Sequence, residues 1–135
     1  MLDTETLKYA VPAVVAVVGW FAAHQFNAYR DRQNKRRDLR IQFLLDAYRR
    51  LESAANRETM TEEQMLAFES AVADIQLLGT REQVAAMVSY IRQHAVGGGA
   101  HIDQVLRLLR RDLRSEVGLP GEVESAVFFR FMHKP

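Results

Sequence analysis

The sequence predicts an all-α chain: one N-terminal transmembrane helix continuing into a small cytoplasmic bundle of three to four helices. Three observations predict it. An unbroken apolar run from Tyr9 to Ala23 carries no charge. A dense basic segment follows it: Arg30, Arg32, Lys35, Arg36, Arg37 and Arg40. Beyond residue 40 apolar side chains recur with the period of a helix, and no stretch alternates as a strand would. The predicted organisation is a transmembrane anchor over residues 1–29, a basic juxtamembrane stalk over 30–40, and a cytoplasmic helical bundle over 41–135.

The membrane segment comes first. A hydrocarbon core of about 30 Å needs roughly 20 helical residues, and the stretch from Pro12 to Arg30 suffices. Pro12 suits a first helical turn, where its missing N–H costs nothing. Lys8 and His24 reach toward the headgroups, and Tyr9, Trp20, Phe21 and Tyr29 are the aromatic candidates for the interface. A cleaved signal peptide would want a basic start and a small-x-small cleavage site. Here the start carries Asp3, Glu5 and Lys8, and the run ends Gly19-Trp20-Phe21-Ala22-Ala23-His24. An uncleaved anchor fits better. Positive residues stay cytoplasmic, so the N-terminus faces out and residues from about 30 onward lie inside. Gly19 and Ala23 make the only small-xxx-small pair in the span, a weak pairing signal.

The first helix is expected to leave the bilayer as a charged stalk and then turn amphipathic. Ile41, Leu44, Leu45, Tyr48, Leu51 and Ala55 recur at helical spacing, widened by Phe43 and Ala47. A second helix starts near Thr61, where Thr61-Glu62-Glu63-Gln64 fits a capping box with acids in the first turn. Its stripe is Met65, Phe68, Val72, Ile75 and Leu78, and Gly79 ends it. Thr80-Arg81-Glu82-Gln83 is a second capping box and opens a third helix with Val84, Met87, Val88, Ile91 and Ala95 on one face. Gly97-Gly98-Gly99 ends that helix and forms a hinge or connector. In the fourth helix Ile102, Val105, Leu106, Leu109, Leu113 and Val117 face inward, with Asp103 and Arg107 as an i,i+4 pair. Gly118-Leu119-Pro120 is its stop.

Composition narrows the function. With no cysteine, disulfides, zinc fingers, iron–sulfur sites and thiol nucleophiles are excluded. The chain nets +1, but residues 28–40 carry a surplus of basic groups while residues 57–100 are acidic. That is the pattern of an anchored protein, and nucleic-acid binding finds no recognisable module. About 100 residues remain outside the bilayer, enough for a modest core.

Three stretches together carry a resemblance: Ile41-Gln42-Phe43-Leu44-Leu45-Asp46-Ala47-Tyr48-Arg49-Arg50-Leu51-Glu52, Ala73-Asp74-Ile75-Gln76-Leu77-Leu78-Gly79-Thr80, and residues 108–120. They resemble small bacterial single-pass inner-membrane proteins with a cytoplasmic helical domain. The resemblance covers most of the chain and implies a bacterial inner-membrane setting. It brings no activity and gives no residue a role.

No residue pattern points to catalysis, a cofactor or a metal. His24, His94, His101 and His133 show no metal-ligand spacing. The glycines lack the Gly-Lys-Ser/Thr ending of a phosphate loop. Glu62 and Glu63 are explained by capping, and the serines have no nucleophile signature around them. Arg107, Arg110, Arg111 and Arg114 are interleaved with Asp103, Asp112 and Glu116, as in a solvated, salt-bridged face. Two surfaces remain. Arg30, Arg32, Lys35, Arg36, Arg37 and Arg40 fix topology and can hold lipid headgroups. Phe128, Phe129, Phe131 and Met132 either complete the core or contact a partner or lipid. The expected function is a non-enzymatic, membrane-tethered helical interaction or scaffold module without cofactor. Its expected partners are the bilayer, further copies of itself and an unidentified protein. The alternative is a membrane effector whose oligomerised anchor perturbs the bilayer, against which the span offers no polar stripe.

Overall fold

The computed structural model describes residues 4–55, 57, 59–97 and 100–121. The described residues form four helices and no strand: α1 (Thr4–Ala54), α2 (Glu62–Leu78), α3 (Arg81–Ala95) and α4 (Asp103–Glu116). The chain divides into two units, Met1–Leu39 and Arg40–Pro135, and the division falls near the end of the basic segment.

In the first unit every residue from Lys8 to Leu39 is exposed except the half-buried Ala28. The helix begins at Thr4, so Pro12 lies inside it and not in its first turn. Pro12 has no N–H to donate to the carbonyl four residues back, and that local loss is carried by the helix on either side. Trp20 stacks on His24 at 5.7 Å between ring centroids, one helical turn apart. By length and composition α1 is long and apolar enough to cross a membrane, and none of its apolar window is buried.

In the second unit the continuation of α1 supplies Leu44, Ala47 and Leu51, and the turn after it Ala55, to a core shared with Ala71 and Ile75 of α2, Met87 of α3, and Ile102, Val105, Leu106 and Leu109 at α4. Phe43, Tyr48, Phe68, Val72, Ala86, Tyr90 and Leu113 pack around it. The predicted stripes are close, with instructive differences. Met65 and Leu78, expected inward, are 43% and 62% exposed, while Ala71 is buried between them in sequence. α3 is rotated from its expected face: Gln83 and Met87 are buried, and Ile91 and Ala95 are exposed. In α4 Leu108 is buried and Val117 is exposed.

Helix ends follow local chemistry. Thr61 accepts a hydrogen bond from the Gln64 N–H, and the Thr61 N–H donates to Gln64 Oε1 at 3.1 Å. Thr80 and Gln83 repeat the exchange. Each box satisfies donors that a helix start leaves orphaned. At the end of α4, Gly118 has φ +79, its N–H reaches the Ser115 carbonyl, and the Leu119 N–H reaches the Arg114 carbonyl at 2.8 Å. This is the Schellman arrangement, with glycine where the left-handed backbone favours it.

Gly79 ends α2 for a different reason. Its backbone is extended, φ −68 and ψ 158, so no left-handed turn is involved. A Cβ there would collide with the Ile75 carbonyl oxygen, which accepts the Gly79 N–H at 2.8 Å. Gly79→Ala is therefore expected to push the α2–α3 corner apart and cost about 1–2 kcal/mol. Thermal unfolding of the full chain in detergent measures it.

Candidate functional site

The basic residues sit on an unbroken helix, so each has a defined height and azimuth. Arg30 to Arg37 covers about 10 Å of axis at 1.5 Å per residue. Asp31 and Asp38 are one heptad apart and share a face to within about 20°. The basic side chains occupy the rest of the circumference. Arg40 departs from the group: its Nε meets Glu116 of α4 at 2.8 Å, within the second unit. It thereby also tethers the bundle end of α1 to α4. Phe128, Phe129, Phe131 and Met132 lie outside the described residues.

Two polar networks that sequence reading missed join the helices of the bundle. Arg50 joins α1 to α2: Nη1 donates to Ser70 Oγ at 2.8 Å and Nη2 to Asp74 Oδ2 at 2.6 Å, with Asp46 at 2.8 Å one turn back. Its Nε is buried without a hydrogen-bond partner. Gln83 joins α3 to α4. It is wholly buried, and its Nε2 donates to Asp112 Oδ2 at 2.7 Å while its Oε1 closes the Thr80 cap. Arg111 lies against Asp112 at 2.9 Å and Glu82 at 2.8 Å. Hydrogen bonding to Glu82 and then to Asp112 holds the Arg111 guanidinium above its ordinary pKa. The one sequence signal for Gln83 was its place in a capping box, which says nothing of a second partner.

Two of the four α4 arginines, Arg111 and Arg114, are thus structural ties and not part of an open basic edge. Arg107 donates to Gln104 Oε1 at 2.9 Å and does not make the expected pair with Asp103. Arg114 Nε donates to the Pro120 carbonyl at 2.7 Å and staples the stop after α4. His94 stacks on Tyr90 at 6.0 Å, and Tyr90 lies against Phe68 at 5.8 Å. Burial raises the Tyr90 phenol above its ordinary pKa. Among the described residues no group of three or more His, Asp or Glu side chains converges as a metal site would require.

In the second unit α2 also exposes apolar side chains. Leu66 and Leu77 of α2 are 59% and 78% exposed, on the side of the helix away from the buried Ile75. Comparison with protein-family models, curated proteins and solved structures finds no match to this chain.

Proposed function

We propose that the chain is a non-enzymatic, membrane-tethered helical interaction module. In this reading residues 9–29 of α1 span the inner membrane of a bacterium, the N-terminus lies outside and the bundle lies on the cytoplasmic face. The observation that carries it is the complete exposure of the apolar part of α1. Val11, Val14, Val15, Val17, Val18, Trp20, Phe21 and Phe26 all face outward. Fully burying a large apolar side chain is worth about 1.5–3 kcal/mol, and no other described element covers these. A bilayer does. Pro12 then sits near the outer interface, where water and headgroups can satisfy the carbonyl it leaves unpaired.

The basic residues after the span support the orientation, because Lys and Arg are retained on the cytoplasmic side. The bundle closes its own core and carries no converging catalytic groups among its described residues. Its contribution is therefore a surface, and the tether raises the effective concentration of weak contacts made by that surface. Leu66 and Leu77, about three turns apart on one side of α2, are exposed apolar contacts for a second copy or a protein partner.

The absence of cysteine makes a clean test available. Thr4→Cys and Ser89→Cys variants of the full chain are expressed in bacteria and treated with a membrane-impermeant maleimide. Both are expected to resist extraction by alkaline carbonate. The position 4 variant is expected to label in intact cells, and the position 89 variant only after permeabilisation. Extraction into the soluble fraction overturns the membrane reading, and the reverse labelling pattern overturns the orientation.

A further inference from the structure

We propose that Arg32 and Arg36, with Arg30 on the far side of the helix, bind the phosphate of anionic phospholipids at the inner leaflet; this rests on the membrane reading above. Arg32 and Arg36 are separated by one turn, about 6 Å along the axis, and rise from one face of α1. A like-charged pair at this spacing destabilises an isolated helix by a few tenths of a kcal/mol. Helices usually relieve such a pair with an acid three or four residues away. Here the helical neighbours of Arg32 are Ala28, Tyr29, Lys35 and Arg36. Those of Arg36 are Arg32, Gln33, Leu39 and Arg40. Those of Arg30 are Phe26, Asn27, Gln33 and Asn34. None is acidic. Asp31 and Asp38 lie beside Lys35 instead. Arg40, next in the Arg32–Arg36 row, is taken by Glu116 at 2.8 Å. The helix offers the pair no acid at these spacings, which leaves both guanidinium groups open to an external anion.

Depth selects its source. If the apolar surface ends near Tyr29, Arg32 and Arg36 stand about 5 and 10 Å beyond it along the axis. Headgroups fill about 5–7 Å on each side of the hydrocarbon core. Side chains of a helix lean toward its N-terminus, which here is toward the membrane. The long arginine stems therefore lean back toward the phosphate layer, and the guanidinium forks can take phosphate oxygens in pairs. A zwitterionic lipid brings its own cation to compete for the same phosphate, whereas an anionic lipid does not.

Trp20 is the only tryptophan and serves as the probe. The full chain is reconstituted in vesicles of equal parts phosphatidylcholine and phosphatidylglycerol, with a trace of either lipid carrying a dansyl acceptor. More energy transfer is expected to labelled phosphatidylglycerol than to labelled phosphatidylcholine. Arg32→Gln/Arg36→Gln is expected to cut the excess sharply, the local preference falling about 5-fold for each arginine removed. Arg92→Gln, an exposed change in α3, is expected to keep it. Equal transfer to both lipids in the carbonate-resistant parent chain overturns this inference and leaves the membrane reading standing. Carbonate extraction of the parent chain overturns both. An excess left undiminished by the double substitution overturns the assignment to these arginines.

Discussion

Val18→Asp/Phe21→Asp is expected to release the chain from membranes while leaving the helical bundle folded. Both side chains are exposed, at 62% and 58%, and neither belongs to the core that Leu44, Ile75, Met87 and Leu109 share. In water the two changes touch nothing, so a chain that works in solution would tolerate them. In a bilayer they stand near the middle of the span. An aspartate there costs about 2.5–3.5 kcal/mol, and the apolar residues it replaces contribute favourably, so the double change costs about 6 kcal/mol or more. That is enough to convert firm insertion into release. Fractionation with alkaline carbonate measures the partition, and thermal unfolding of the released chain checks the bundle. A double variant that remains in the membrane pellet would show that the exposed face of α1 meets something other than lipid.

The ends of the helices are legible in the sequence because their determinants are local. Thr61 with Gln64, Thr80 with Gln83, and Gly118 before Leu119 each act within one turn, and the structure shows all three. The start of α1 was less so: Pro12 looked like a first-turn residue, but the backbone pattern runs through it from Thr4. The rotation of α3 could not be read either. Counting apolar positions favours Val84, Val88 and Ile91, yet Gln83 takes the buried place because Thr80 and Asp112 satisfy both ends of its amide. Arg50 escapes for the same reason, since Ser70 and Asp74 lie on another helix. At the stalk, the charges were plain but their division was not. Arg40 belongs to the bundle through Glu116, while Arg32 and Arg36 have no acid three or four residues away on the helix. Patterning shows which residues are charged; only the fold shows which charges are already spent.

Gln83→Glu isolates the contact that patterning could not see. The new side chain has the same shape, and a glutamate serves a capping box as well as glutamine does, so the hydrogen bond from the Thr80 N–H survives. What changes is the meeting with Asp112 Oδ2, now 2.7 Å from a donating amide. In the variant two carboxylates face each other where Gln83 is fully buried and the Asp112 side chain is only 12% exposed. Arg111 beside Asp112 offsets part of the repulsion. The expected loss near neutral pH is about 2–4 kcal/mol. The pair escapes the penalty by sharing one proton, which raises one carboxyl above its unfolded value of about 4. Between that value and the raised one the folded variant binds more protons than the unfolded chain, so its stability rises as pH falls. The deficit against the parent is thus complete above the raised pKa and shrinks through the window below it. Gln83→Ala brings no new carboxyl to titrate, so its own deficit, from the lost cap and the donor lost at Asp112 Oδ2, should lack this recovery. Paired pH series of thermal unfolding for the full chain in detergent separate the two. Parallel deficits across the series would mean that Asp112 is satisfied by Arg111 alone and that Gln83 is buried for packing.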